Sequence, residues 1–204
     1  MSANPPDDGT MIPLDTRYPV WERVFTVSPL VVIGTREEGR PNLAPKHMAT
    51  PLGWEGYFGF VCTPAHSTYH NAQERGCFTV SFPGADQLVA TSLTATPRCE
   101  GQEPKPVLRA LPTEDAHEVD APVLKGAHLV LECRMDRIVD GFGEASLVVG
   151  WTVGARARRD ALRTSDTDDE DVLRRSPLLA FLSPERYAEV AVSHLLPLPE
   201  GFQR

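Results

Sequence analysis

The chain has 204 residues, 41% of them hydrophobic and 24% charged, and carries a formal net charge of −8 at pH 7. That length and balance suit one soluble domain with a real core. The acidic excess argues against nucleic acid as a main partner, since neutralising phosphates takes clustered Lys and Arg, and no apolar run reaches membrane-spanning length.

Residues 1–16, "MSANPPDDGTMIPLDT", are polar and proline-rich and read as a flexible tail. They lack the basic and apolar regions of a secretory signal, so the chain reads as cytoplasmic. Residues 17–160 read as the body of the domain and 161–204 as a segment wrapped around it. "PLVVIGT" (29–35) and "GYFGFVC" (56–62) are compact apolar strands, and "EEGR" (37–40) is a turn. A short helix at 68–75, closed by Gly76, leads into "CFTVSF" (77–82). There Phe78, Val80 and Phe82 share one face, and Cys77, Thr79 and Ser81 share the other. A second short helix is expected at 86–93. The stretch 97–127 is rich in Pro and charge and reads as irregular. "HLVLECRMDRIV" (128–139) and "ASLVVGWTVGA" (145–155) are two long strands joined by "DGFGE". The C-terminal apolar stretches, broken by prolines, should wrap the domain. The fold class is mainly β with short helices, an antiparallel barrel that is closed or nearly so.

Several motifs fail on inspection. "GFGEAS" (141–146) lacks the third glycine of a dinucleotide loop and precedes a strand. "DTDDED" (166–171) starts like a calcium loop, but Asp171 replaces the turn glycine and Pro177 the closing glutamate. It reads instead as a solvated acidic loop compensating Arg156, Arg158, Arg159 and Arg163. The cysteines Cys62, Cys77, Cys99 and Cys133 are scattered without a C-x-x-C pair, which speaks against a disulfide framework or structural zinc and for a reduced chain.

"CTPAHSTYHNAQERG" (62–76) leaves three readings open. His66 and His70 stand four apart, as metal ligands on one helix face would, with Cys62 the nearest third candidate. Ser67 or Thr68 could simply cap the helix. The helix start could also bind an anion, through its orphan N–H groups, its dipole and the two hydroxyls.

Upstream lies "RPNLAPKHMATPLGW" (40–54). Taken with "STYHNAQERGCFTVSFP" (67–83), it resembles the flavin reductase-like family of FMN-binding split-barrel proteins. That family's pattern is a strand, G-R-x-N-x-A-P, a second strand, and T-x-x-N-I-x-x-x-G-x-F-V-V-N. It stands here as "LVVIGTREEGRPNLAP", "GYFGFVC" and "TYHNAQERGCFTVSF". "GAHLVLECRMDRIV" and "SPLLAFLSPERYAEV" resemble its closing strands and tail. The resemblance implies an FMN-binding split β-barrel, antiparallel and of Greek-key type. It places Asn42, Ala44, Pro45 and Lys46 along the flavin groove, with backbone N–H groups around Pro45–Met48 at the polar edge of the ring. His47 and Met48 lie beside them and Cys62 at a strand end near the flavin. Thr63, His66, Ser67 and Thr68 would hold the phosphate, and Asn71 would steady the loop.

The same resemblance implies a homodimer that accepts hydride at flavin N5 from NAD(P)H. Electrons would pass to free flavin or another small acceptor, with a partner monooxygenase among the candidates. The cofactor carries such chemistry, so no acid–base residue is named. One departure stands out. Many members carry G-D-H in the turn before the last long strand, where this chain has Glu144 and Ala145. FMN binding is untouched by that change, whereas the usual nicotinamide pose is not supported by it. The alternatives are a flavin carrier or sensor without turnover, and a metal-dependent hydrolase on His66 and His70.

Overall fold

In the computed structural model of the chain, residues 11–96 and 111–199 are described together with Gly9, Leu108 and Gly201. Residues 1–8 and 10 of the expected tail, and 97–107, 109 and 110 of the expected irregular stretch, lie outside the described residues. The chain runs through β1 (Val27–Pro29), β2 (Val31–Glu37), β3 (Arg40–Lys46), β4 (Ala49–Pro51), β5 (Tyr57–Cys62), α1 (Ser67–Arg75), β6 (Cys77–Phe82) and α2 (Leu88–Leu93). It continues through β7 (Thr113–Asp115), β8 (Pro122–Leu124), β9 (Leu129–Phe142), β10 (Ala145–Ala157), α3 (Asp169–Arg175), β11 (Leu178–Leu182) and β12 (Arg186–Val190).

Seven strands form one antiparallel sheet in the order β3-β2-β6-β9-β10-β5-β4. Its two edge strands, β3 and β4, are consecutive in the chain and joined only by His47 and Met48. Laid flat, seven strands would put those edges about 29 Å apart. Three residue steps, from Lys46 to Ala49, reach at most about 11 Å. The sheet therefore curls until its edges nearly meet, which is the split-barrel architecture. The β9–β10 hairpin assists, because its register shifts at three points, and such bulges bend a strand.

The inside of the curl is filled by Val31, Ile33, Phe58, Phe60, Phe78, Val80, Cys133 and Val148. Phe60 and Phe78 meet edge to face at 5.1 Å. Burying side chains of this size stabilises the fold by roughly 1.5–3 kcal/mol each. Tyr69 and Ala72 of α1 belong to the same cluster, so the helix is anchored to the barrel by its apolar side. Gly76 ends it with a left-handed φ of 63°.

β6 keeps the expected bounds, yet both of its faces are buried. The hydroxyl face is covered by the small β7–β8 sheet, built from part of the stretch expected to be irregular. Thr79 donates its hydroxyl to the Pro122 carbonyl, and the Leu124 N–H donates to Ser81 Oγ at 3.0 Å. Gly34 permits this close approach, since a Cβ there would lie 2.0 Å from the Pro122 oxygen. Beside it, Glu132 is 1% exposed and accepts the N–H groups of His117 (2.8 Å) and Glu118 (2.6 Å). Arg156 Nε lies 3.4 Å from its other oxygen.

The C-terminal segment, expected only to wrap the domain, pairs β11 with both β12 and β1 in a separate three-stranded sheet. The acidic run 166–171 is likewise more than a loop. Asp168 caps α3 by accepting the Glu170 N–H at 2.8 Å, and Asp169, Glu170 and Asp171 fill the first turn while Arg174 and Arg175 fill the last. That charge order suits the helix dipole. Of the arginines expected to compensate it, Arg163 pairs with Asp169, whereas Arg156 turns to Glu132 and Glu114 and Arg158 to Asp160.

Candidate functional site

α1 starts at Ser67, with His66 in the capping position and extended; among the described residues no side chain caps the first turn. Neither Ser67 nor Thr68 is therefore an N-cap. The N–H groups of Ser67 and Thr68 have no intrahelical partner, as in any first turn, while the Tyr69 N–H is taken by the His66 carbonyl at 3.0 Å. Thr63 shapes the approach, its Oγ1 accepting the Ala65 N–H at 3.1 Å.

A buried hydrogen-bond chain fixes this turn against β2 and β3. Asn42 donates to Ser67 Oγ and to Thr35 Oγ1, both at 3.3 Å, and Asn71 donates to Thr35 Oγ1 at 3.2 Å. Asn71 thus fastens the helix to β2. Ser67 Oγ, as the acceptor from Asn42, keeps its proton available for an outside acceptor.

Two cavities meet here. The first, about 450 Å³, is lined by Asn42, Ala44, Pro45 and Lys46, by Ala65–Thr68, and by Thr94–Thr96 after α2. The second, about 480 Å³, is lined by Pro45–Met48, Val61–Thr63, His66, Phe142, Glu144 and Ala145. Pro45, Lys46 and His66 line both, so they form one bent cleft along the gap between the barrel edges. One arm ends on the first turn of α1. The other is bordered by the β9–β10 hairpin tip. Among the described residues, edge strand β3 has no strand partner on its outer side.

The residues expected at the site fall as follows. Asn42, Ala44, Pro45, Lys46, His66, Ser67 and Thr68 line the first arm, although Thr68 is only 2% exposed. His47, Met48, Cys62 and Thr63 line the second. Asn71 lies behind the wall. His47 stacks on Phe181 of β11 at 4.1 Å between centroids, and burial, with Lys46 beside it, holds its pKa below the ordinary histidine value. Cys62 is buried, belongs to the barrel core and points its thiol to the Thr63 carbonyl. Met48 is exposed. His70 is exposed on α1, and among the described residues no three His, Cys, Asp or Glu side chains gather to hold a metal.

Two parts of the wall escape sequence reasoning. Thr94–Thr96 carry no motif. Phe142 sits in a "GFG" that reads only as a failed nucleotide loop. The hairpin beneath Phe142 is tied down by Asp140, whose Oδ1 accepts the Tyr69 hydroxyl at 3.2 Å and the Ser146 hydroxyl at 2.6 Å. Burial, then Asp140, raises the Tyr69 phenol above its ordinary pKa, so it stays a donor.

The flavin reductase like domain family matches residues 24–182. Among solved structures, flavoredoxin from Methanosarcina acetivorans superposes with a TM-score of 0.75 at 19% identity, over 94% of this chain and 97% of its own. An FMN-binding protein from Thermus thermophilus, with bound p-hydroxybenzaldehyde, gives 0.69 at 21% over 97% and 100%. An NADH:FAD oxidoreductase from Streptomyces globisporus gives 0.69 at 16% over 92% and 100%. At these identities the structures speak for the fold alone. No curated protein matches the sequence.

Proposed function

The chain belongs to the flavin reductase-like domain family, a flavin-binding oxidoreductase by that membership, and we propose from this premise that FMN occupies the bent cleft and that the protein is an NAD(P)H-dependent flavin oxidoreductase. The observation carrying this reading is the continuity of the two arms. A turn rich in unpaired donors opens directly, past Lys46, into a wider arm bounded by a strand edge.

The residues present fit FMN. The N–H groups of Ser67 and Thr68, with the Ser67 hydroxyl, offer donors to a phosphate, and the helix dipole adds attraction. The chain of Asn42, Thr35 and Asn71 holds those donors in place before any ligand arrives, which reduces the ordering cost of binding. Lys46, shared by both arms, stabilises negative charge either at the phosphate or at the ring edge. The outer edge of β3 can hydrogen-bond a flat polar ring along its rim. FMN is favoured over FAD because no second nucleotide-binding fingerprint follows. When bound, the flavin supplies two-electron acceptance at N5. The protein contributes placement, charge and shelter from water.

The homodimer belongs to the same proposal. A barrel filled with its own side chains leaves no interior space for a three-ring cofactor, so the ring lies in the surface cleft. A two-fold partner would cover it. Trp21, Phe25 and Val27 at one end of the chain and Leu195 and Leu196 at the other are exposed apolar groups suited to such an interface.

Anaerobic titration of the FMN-loaded protein with NADH and then NADPH tests the enzyme reading. Bleaching of the flavin absorption by either supports it. A spectrum that responds to dithionite but to neither nicotinamide leaves the carrier or sensor.

A further inference from the structure

A further cavity, of about 290 Å³, lies where the small sheet of β1, β11 and β12 meets the end of the barrel at Phe82 and Pro83. No residue lining it lines either arm of the cleft. Apart from Ser28 and His128 its lining side chains are apolar, with Leu30, Phe82, Leu179 and Val190 among them. Leu178, which also lines it, is exposed, so the cavity opens to solvent.

His128 supplies the second observation. It is 8% exposed, and its Nδ1 is buried with no hydrogen-bond partner among the described residues. The bond that the ring makes to the Pro83 carbonyl therefore uses Nε2, which keeps the proton there and leaves Nδ1 an acceptor. Burial, and then Arg158, hold the ring below the ordinary histidine pKa, so it stays neutral at pH 7. Arg158 itself is paired with Asp160. A buried acceptor without a donor is rare in a folded chain. Water answers it poorly, because an enclosed water needs about two to four polar partners and these walls are mostly apolar.

We propose that this cavity is a binding site for a neutral two-ring compound carrying one O–H or N–H group, which it donates to His128. The size follows from the volume. An apolar cavity of about 150 Å³ takes up benzene, and this one is about twice as large. The single donor follows from the single unmet acceptor. Neutrality follows from the walls, where an ion would lose its water and meet no free counter-charge. The site does not depend on the flavin reading. It adjoins the cleft all the same, since β11 lines the cavity with Leu178–Ala180 and its next residue, Phe181, stacks on His47.

Calorimetric titration of the full chain at pH 7 with 2-naphthol, 2-methoxynaphthalene and 2-naphthoate tests the proposal. The three share their rings and differ in offering a donor, no donor and a negative charge. 2-Naphthol should bind saturably, 2-methoxynaphthalene about three- to ten-fold more weakly, and 2-naphthoate at least about ten-fold more weakly. His128→Phe, which keeps a ring and removes the acceptor, should bring the first two within about two-fold. Ala180→Leu puts extra carbon into the cavity and should weaken 2-naphthol by about ten-fold or more. Val190→Phe does the same from the end of β12 and serves if Ala180→Leu does not fold. The site is overturned if 2-naphthol gives no saturable heat, or if 2-methoxynaphthalene or 2-naphthoate matches it. It is equally overturned if binding survives the filling substitution undiminished, which would place the ligand in the cleft instead.

Discussion

Two polar regions flank the seven-stranded sheet, and they are finished differently. Under β7–β8, Thr79 is met by Pro122, Ser81 by Leu124, and Glu132 by two backbone N–H groups with Arg156 beside it. At the split between the barrel edges, the first turn of α1, Lys46 and Glu144 line an open cleft. The residue types overlap, since Thr, Ser and Glu occur in both. Satisfaction separates them. A polar group closed off by its own chain contributes to stability, and one held rigid but left unmet is available to a ligand.

That contrast predicts that substitutions in the two regions report on different measurements. The largest effect is expected at Glu132→Ala, which strands two part-buried N–H groups while Arg156 keeps Glu114. Each donor left unmet costs about 1–3 kcal/mol, read by chemical denaturation, with FMN affinity per folded molecule unchanged. Equal losses in both would erase the distinction. Lys46→Met should do the reverse. Removing a charged partner of the ligand costs roughly 1.5–3 kcal/mol of binding, a rise of tenfold or more in the FMN Kd, with stability altered by less than about 0.5 kcal/mol.

Ser67→Ala sharpens the comparison further. Because Ser67 is not the N-cap, the usual capping loss of about 1 kcal/mol should be absent, while FMN affinity falls by about tenfold. Calorimetric melting of the apo-protein and FMN titration of the same sample check both halves. The smallest effect is expected from pH. Burial holds both His47 and His128 below the ordinary histidine pKa, helped by Lys46 at His47 and by Arg158 at His128. The unfolded chain therefore binds protons first as pH drops. Stability should be full above about 6.5 and decline below it, continuing through the lower folded values. Denaturation midpoints at pH 7.5 and 5.5 test the sign, and a higher midpoint at 5.5 would contradict it. The Cys133 thiol, pushed up to about 12 by burial, should resist alkylation in the native protein.

Legibility in the sequence followed the range of the interaction. β6 was readable to the residue, because alternation is a local signal, and α1 was readable to within one residue of its start. That the hydroxyl face of β6 is covered was not readable, since its cover comes from Pro122 and Leu124 inside a proline- and charge-rich stretch. The acidic run 166–171 was read for its charge alone. Its role as cap and first turn of α3 depends on Asp168 taking extended backbone ahead of the helix. At the cleft, most of the wall comes from two local runs of sequence, 42–48 and 62–68, which is why those residues could be grouped before the fold was known. Thr94–Thr96 and Phe142 reach the same cleft only through the curl of the sheet, and no local pattern in the chain announces that closure.

The central claim is that the first turn of α1 holds the phosphate of a flavin lying in the cleft. Comparing FMN with riboflavin on the apo-protein tests it most directly, because the two ligands differ only in that phosphate. Two charge-assisted hydrogen bonds, at roughly 1.5 kcal/mol or more each, predict riboflavin binding on the order of 100-fold weaker than FMN. Affinities within about threefold of each other would contradict the claim.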